Sequence, residues 1–261
     1  GAALGEPAFV AAAERAAEFL LAECRDDAGR LAHQWRRGTA SGLAFADDLA
    51  CLAEGLVSLS EATFAERWID AACGLADTLL GAGGDDGFVD ADTGAFFQSS
   101  PAHERLPVRQ PDLVDNAMPG STGMAATVLV RLAALTGRDH YRAAAERALA
   151  AVTALAARAP GAVPQSLLAL DLALGPAEEA VIVAAPTDPH LPALLAALRG
   201  RFRPRAVTAL RDPAARGPGP LDGLFAGRTG SAGDATLHLC RGGSCLPPAV
   251  GAEAVRLAGG G

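Results

Sequence analysis

Apolar residues recur at helical spacing through the first 175 residues. Three segments are alike, each an aromatic residue followed by Ala-rich turns with apolar positions at i, i+3, i+4 and i+7. They are FVAAAERAAEFLL from Phe9, WIDAACGLADTLL from Trp68 and YRAAAERALAAVT from Tyr141. More uniformly apolar stretches, at about 44–62 and 121–136, precede the second and third segments. The pattern predicts a repeated unit of an apolar helix, a tight turn and an amphipathic helix.

The two kinds of helix indicate two layers. A helix that is apolar on all sides must be covered by neighbours, whereas an amphipathic helix faces water on one side. Residues 1–175 are therefore predicted to form hairpins of an α/α-barrel, a toroid, or of an α-solenoid. The first unit lacks its inner helix, and a closed barrel of this period needs about twice the chain. We expect an incomplete barrel, the C-terminal portion of a longer protein.

The pattern changes after Pro176. EEAVIVAA and AVTALRD are typical of buried strands, and the helical connection between them predicts a βαβ unit with parallel strands. ATLHLC and CLPPAV predict a hairpin through RGGS. The fold class expected is mainly α, with a small α/β appendage at 176–251 and a frayed tail at 252–261.

Charge and composition narrow the function classes. The formal net charge of −8 argues against a nucleic-acid partner, which needs a basic face. No apolar run approaches the roughly 18 residues of a membrane span, and no signal-peptide pattern opens the chain. We therefore expect no membrane partner and a cytoplasmic location. All 22 basic residues are arginine, which excludes a Schiff-base lysine and a P-loop. No dinucleotide fingerprint follows a strand, so no cofactor is predicted.

Two adjacent carboxylates, Asp47 and Asp48, open the apolar helix in FADDLACLAEGL. They can stabilise the first turn through the helix dipole by about 0.3–1 kcal/mol. Alternatively they line the mouth of a barrel, where carboxylates act as general acid and base on a sugar ring. Because neighbouring helical positions point about 100° apart, we expect at most one of them to reach the pocket.

A polar loop, RQPDLVDNAMPGSTG, precedes the second apolar helix. Its arginine, carboxylates and amide suit the binding of hydroxyls or an anionic group. The alternative is that Asp115 or Ser121 caps the following helix. By the repeat, this loop and the Asp47 turn are equivalent and should open on the same rim. The candidate catalytic residues are Asp47, Asp48 and Asp115, and the candidate substrate-binding residues in the loop are Arg109, Asp112 and Asn116.

Aromatic, histidine and cysteine residues give weaker indications of function. Trp35 and Phe97 lie in predicted polar loops, where they either stack on a sugar or plug the end of the bundle. We include both as substrate-binding candidates. The five histidines show no metal-ligand spacing, so no metal site is predicted. Cys240 and Cys245 flank a predicted turn and form a redox or structural pair, with a disulfide, a metal site and plain strand ends as alternatives.

The order of several segments resembles the C-terminal region of thioredoxin-domain-containing proteins related to YyaL and to spermatogenesis-associated protein 20. These segments are FADDLACLAEGL, ERWIDAACGLADTLL, GAFFQSS, LPVRQPDLVDNAMPGSTGMAA, LTGRDHYRAAAERAL, EEAVIVA and HLCRGGSCLPP. The resemblance implies a domain like the six-hairpin glycosidases, following a thioredoxin-like domain of the same protein as its partner. It also implies that Asp47, Asp48, Asp115, Ala117 and Pro119 are characteristic positions. No CxxC occurs in this sequence, so redox activity of that domain is not carried over.

Two functions are therefore expected. The first is hydrolysis or isomerisation of a saccharide-like small molecule by carboxylates on the rim. The alternative is a non-catalytic module that binds a ligand or a protein and serves the thioredoxin-like domain. Glycosidase-type catalysis predicts two carboxyl groups facing one cavity, roughly 5–9.5 Å apart.

Overall fold

A computed structural model describes residues 1–82, 87–215, 217–231 and 233–260. Its helices are α1 (Pro7–Glu23), α2 (Ala46–Thr63), α3 (Arg67–Leu80), α4 (Ser121–Thr136), α5 (Asp139–Arg158), α6 (Pro164–Leu174), α7 (Leu191–Arg199), α8 (Asp222–Phe225) and α9 (Ala252–Gly259). Its strands are β1 (Ala32–Arg36), β2 (Thr39–Leu43), β3 (Glu178–Val183), β4 (Ala206–Arg211), β5 (Thr236–Arg241), β6 (Ser244–Cys245) and β7 (Ala249–Val250). The predicted mainly helical character is confirmed. Within the described ranges, no helix has the length and apolar composition that crossing a bilayer requires.

The first six helices pack as two layers. The inner helices α2, α4 and α6 contact one another in sequence, while α1 and α3 pack on α2 and α5 packs on α4. Helix α4 is buried along most of its length, whereas α5 buries one face and keeps charged residues on the other. The pairs α2–α3 and α4–α5 are thus the predicted hairpins of an apolar and an amphipathic helix. Their closure into an α/α-barrel stays a prediction.

The inner helices α2 and α4 each end at a residue with left-handed backbone conformation, which allows a tight turn to the next helix. Helix α4 ends at Gly137, where φ is 69°, a conformation that glycine adopts without steric cost. Helix α2 ends at Phe64, where φ is 59° although the residue carries a side chain. The Phe64 amide donates to the Ser60 carbonyl at 2.6 Å, so the helix end is satisfied locally.

A buried arginine joins the inner helices α2 and α4. The side chain of Arg131 is 13% exposed and pairs with both Glu54 and Glu61 of α2, at 2.5 Å from Glu61. It also donates to the Ser58 hydroxyl at 3.0 Å. Burial raises the pKa of Glu54, and the charge of Arg131 opposes that rise. These groups therefore depend on one another, because charges removed from water are costly unless they are paired.

The α/β unit is a mixed sheet in the order β4-β3-β5-β6, with β7 paired to β5. Strands β3 and β4 are parallel, with Glu178 opposite Ala206, and α7 lies in the connection between them. Strand β5 runs antiparallel to both β3 and β6. The predicted parallel strands and the hairpin through RGGS are therefore confirmed.

The sheet is covered on both faces. Successive strand residues point to opposite sides, so Val181 and Val183 join the apolar cluster of the inner helices. Ala180 and Ile182 instead join a second cluster with α7 and α9. The helical layers and the α/β unit consequently share one continuous apolar cluster.

Two elements differ from the sequence predictions. Strands β1 and β2 form an antiparallel hairpin where a polar loop was expected, and Arg37 and Gly38 supply its turn with φ of 51° and 82°. The pattern hid this hairpin because β1 buries only Ala32. The predicted frayed tail is also wrong over 252–259, since α9 forms there and packs against α7. Its two buried side chains are alanines, which give little apolar signal.

Candidate functional site

An open cavity of about 610 Å³ lies between α1, the β1–β2 hairpin and the first half of α2. Positions i, i+4 and i+8 of α2 form its floor, because these positions share one helix face. These residues are Asp47, Cys51 and Gly55. Its other lining residues are Phe19, Leu20, Cys24, Leu31, Ala32, His33, Gln34, Trp35, Asp48, Leu52 and Met118. We refer to it as the Asp47 cavity.

Asp47 lines the cavity and has one oxygen that lies in the interior. Its Oδ1 atom is buried and accepts no hydrogen bond. Burial raises the pKa of Asp47, and the negative charges of Asp48 and Asp112 raise it further. A carboxyl group in this environment keeps its proton to higher pH than an exposed one does, which suits a general acid.

Asp48 is held in place by two partners. Its Oδ2 atom accepts a hydrogen bond from the Phe45 amide at 2.9 Å, which completes the N-terminal cap of α2. The same atom lies 2.7 Å from Nδ1 of His33 on β1. Both carboxylates line the cavity, although at most one was expected to reach the pocket.

His33 is the residue that sequence reasoning missed. It stands 15 positions before Asp48, a separation that carries no motif, and only the unpredicted hairpin brings the two together. The ring also packs edge-on against Phe45, with centroids 5.0 Å apart. Since a carboxylate on one ring nitrogen fixes the orientation of an imidazole, Asp48 and His33 form a positioned acid–base pair.

Trp35 supplies an aromatic wall. It lies on β1 rather than in the polar loop that was expected, remains 41% exposed, and packs edge-on against Phe19 at 5.2 Å. Leu20 and Met118 extend the same apolar lining. The cavity thus joins one apolar side to one side that carries carboxylates and a histidine.

The two aspartates of the polar loop bind backbone groups. Asp112 accepts hydrogen bonds from the amide and hydroxyl of Ser121, both at 2.8 Å, and so caps α4. Asp115 accepts one from Gly120 N at 2.7 Å and one from Gln165 N at 2.6 Å. Asp115 therefore joins the loop to the start of α6, and both of its oxygens are engaged.

The other loop candidates lie outside the lining of the cavity. The Arg109 guanidinium stacks over the Phe97 ring at 4.2 Å and donates to the Ser99 carbonyl at 2.5 Å. The Arg109 Nε atom is buried without a partner. Asn116 is exposed. The structure therefore groups Arg109 with Phe97, and neither with the Asp47 cavity.

The loop and the start of α2 do meet. Met118 of the loop lines the same cavity as Asp47, and Asp112 is close enough for its charge to raise the pKa of Asp47. The two segments are therefore close to each other, with Met118 rather than the polar loop residues in the lining, and their opening on a common rim stays a prediction.

The cavity also contains a thiol, that of Cys51. Burial and the charges of Asp47, Asp48 and Glu54 raise the pKa of the Cys51 thiol, which makes it a poor nucleophile. In the part of the chain that the structure describes, no cluster of three or more histidine, cysteine or acidic residues could hold a metal ion. Asp47 and the His33–Asp48 pair are the groups lining the cavity that could transfer a proton.

The fold and cavity define a domain of two-layered helical hairpins with a mixed α/β sheet packed on it. The chain is homologous to part of spermatogenesis-associated protein 20. It is 30% identical to the protein of Mus musculus over 222 residues, which cover 81% of this chain and 28% of that relative. The human protein is 28% identical over the same length. The chain spans about 28% of the length of these curated relatives. No family model matches it.

Proposed function

We propose that this chain is the helical-hairpin portion of a thioredoxin-domain-containing protein and that the Asp47 cavity binds a saccharide-like small molecule. The similarity to part of spermatogenesis-associated protein 20 supports the first statement. For the second, a sugar offers hydroxyl groups to carboxylates and an apolar ring face to an aromatic side chain. The observation that carries the proposal is that two carboxylates, Asp47 and Asp48, line the same cavity as the exposed ring of Trp35.

We also propose that the hairpins belong to a toroid of the six-hairpin glycosidase type. The alternation of inner and outer helices supports this arrangement, in which the starts of α2 and α4 would face a common hollow. The thioredoxin-like domain of the full-length protein would then be the neighbouring partner. A cytoplasmic location and the absence of nucleic-acid or membrane partners remain part of this proposal.

Isomerisation by proton transfer suits the cavity better than glycoside hydrolysis. Hydrolysis of the glycosidase type uses two free carboxyl groups on opposite sides of the bond. Here the loop aspartates are bound to backbone groups and Asp48 is bound to His33. Asp47, with its raised pKa, would act as the acid, and His33, oriented by Asp48, as the base.

The second candidate function is a binding module without chemistry. The hydrogen bonds of Asp48, Asp112 and Asp115 favour it. These bonds give three of the four candidate aspartates a structural role and leave only Asp47 without one. The cavity would then recognise a ligand and leave any reaction to another domain.

The two candidates can be separated with four saccharides: glucose, mannose, N-acetylglucosamine and maltose. Binding is measured by titration calorimetry, and proton transfer by the loss of C–H signals in the ¹H NMR spectrum in D₂O. The variants are Asp47→Asn and Trp35→Ala, with Asp139→Asn, an exposed carboxylate in the first turn of α5, as the matched control.

Isomerisation predicts deuterium incorporation into one of these sugars, abolished by Asp47→Asn and unchanged by Asp139→Asn. Binding that is weakened by Trp35→Ala without any exchange identifies the binding module. If none of the four sugars binds, the saccharide proposal is overturned.

A further inference from the structure

Cys240 and Cys245 form a disulfide across the β5–β6 hairpin. The two sulfur atoms have different surroundings. Cys240 is 4% exposed and lies on the side of β5 that faces the helical layers, as His238 does. Cys245 lies at the exposed end of the hairpin. An external thiolate can therefore reach the sulfur of Cys245 more readily than that of Cys240.

A cation contacts the buried sulfur. The Nη2 atom of Arg228 lies 3.3 Å from Sγ of Cys240. The same guanidinium is 2.5 Å from a carboxylate oxygen of Glu179, which stands directly opposite Cys240 on β3. It also donates to the Leu224 carbonyl. Three contacts thus fix the guanidinium beside the sulfur that would leave if the disulfide were opened at Cys245.

We propose that Cys240–Cys245 is an exchangeable disulfide, opened by a dithiol reductant that attacks Cys245, with Arg228 stabilising the Cys240 thiolate. The attacking thiolate forms a bond to the Cys245 sulfur while the Cys240–Cys245 bond breaks, and that electron pair leaves on Cys240. The second thiol of the reductant, as a thiolate, then attacks the reductant's first sulfur, which is bonded to Cys245 in the mixed disulfide. This attack releases Cys245. The protein pair gains two electrons and the dithiol becomes a disulfide. One of the two thiol protons protonates Cys245 and the other goes to solvent.

The charges around Cys240 oppose one another. Arg228 favours its thiolate, whereas Glu179 disfavours it because like charges repel. His238 lies two residues earlier on the same face of β5 and donates from Nε2 to the Thr229 carbonyl at 3.0 Å. From α5, Arg142 and Glu146 line a cavity that Glu179 also lines. Removal of Arg228 should therefore slow the opening of the disulfide, and removal of the Glu179 charge should speed it.

The test uses the full oxidised chain and dithiothreitol as the dithiol. Trypsin cleaves after arginine, so residues 229–241 and 242–256 separate into two peptides, each with one of the cysteines. Alkylation followed by mass spectrometry then reports this pair apart from the other three cysteines. The variants are Arg228→Leu, Arg228→Lys and Glu179→Gln, each checked for folding by circular dichroism.

We expect native protein to be reduced without unfolding, about three- to tenfold more slowly in Arg228→Leu because a poorer leaving thiolate departs more slowly. Arg228→Lys should retain most of the rate, and Glu179→Gln should be faster than the native chain. In the reduced protein, Cys240 should alkylate at lower pH than in Arg228→Leu. Reduction only after denaturation, or equal rates in folded Arg228→Leu and Glu179→Gln, would overturn the proposal. If Arg228→Leu does not fold, the proposal is tested by comparing the reduction rates of Glu179→Gln and the native chain. A rate for Glu179→Gln that is no faster than the native rate would then overturn it.

Discussion

Asp47 and Asp48 are adjacent carboxylates in one helical turn with different environments. Asp48 accepts hydrogen bonds that begin α2, whereas Asp47 has a buried oxygen that no group in the described structure satisfies. The first arrangement stabilises the fold, and the second costs free energy in the charged state. Such a cost is typical of functional positions.

We expect Asp47→Asn to stabilise the fold at pH 8. The folded-state pKa of Asp47 lies above its unfolded value, so stability falls as pH rises between these two pKa values and stays lower above both. Asparagine does not ionise, so Asp47→Asn does not lose stability in this way as the pH rises. Urea unfolding at pH 4.5 and pH 8 should show a gain for the variant that is larger at pH 8.

Asp48→Asn is the matched control and should have the opposite sign. It weakens the cap from Phe45 and the contact with His33, so we expect a loss of about 1 kcal/mol at pH 8. Destabilisation by Asp47→Asn as large as that of Asp48→Asn would contradict the assignment.

Asp115→Ala should destabilise the protein by about 1–3 kcal/mol, because it leaves the amides of Gly120 and Gln165 without a partner. The neighbouring exposed Asn116→Ala should change stability by less than about 0.5 kcal/mol. Chemical denaturation measures both. Equal stability of the two variants would show that the Asp115 bonds contribute nothing.

The sequence made Asp47 a candidate, because acids in an apolar helix are visible as a pattern, and its functional role stays a prediction. It could not predict His33, which meets Asp48 through a hairpin with almost no buried side chains. It also left open whether Asp115 was a cap or a ligand, since the same side chain suits both. Only the positions of Gly120 and Gln165 distinguish these roles.

At the scale of elements, pattern strength decided what could be predicted. Helices α2 to α5 and strands β3 to β5 follow clear periods, and their positions match the predictions closely. Strand β1 and helix α9 bury one and two alanines respectively. Elements held mainly by main-chain pairing or by small side chains leave little trace in hydropathy.

We expect Arg131→Leu to destabilise the packing of α2 on α4 by about 3 kcal/mol or more, because Glu54 and Glu61 then lose their buried partner. Adding Glu54→Gln and Glu61→Gln should recover part of that loss. Arg142→Leu, an exposed arginine of α5, is the control and should be nearly neutral. Urea unfolding of the four proteins tests this, and a neutral Arg131→Leu would refute it.

At the scale of the whole molecule, the sheet and the helical layers share a core. Val181 and Val183 belong to the same apolar cluster as residues of α2 to α5. The division into a helical domain at 1–175 and an appendage at 176–251 marks a change of secondary structure, and the core continues across it.

This shared core predicts one cooperative unfolding transition. Both tryptophans, Trp35 and Trp68, lie in the helical part, so their fluorescence reports on that part alone. Ile182→Ala removes a buried side chain from the far face of the sheet and should cost about 2–5 kcal/mol. We expect it to lower the midpoint of the tryptophan transition. An unchanged midpoint would show that the two parts unfold independently.

The Arg131 bridge has a consequence for helix alignment. Alanine-rich helices are smooth, so α2 and α4 could slide along each other by one turn and still bury similar surfaces. Glu54 and Glu61 stand seven residues apart, about 10.5 Å along the axis, and one guanidinium spans both. A displacement by a turn in either direction would leave one half-buried carboxylate without its cation. The ion pairs of Arg131 therefore select one register of α2 against α4 among several that would bury similar apolar surface.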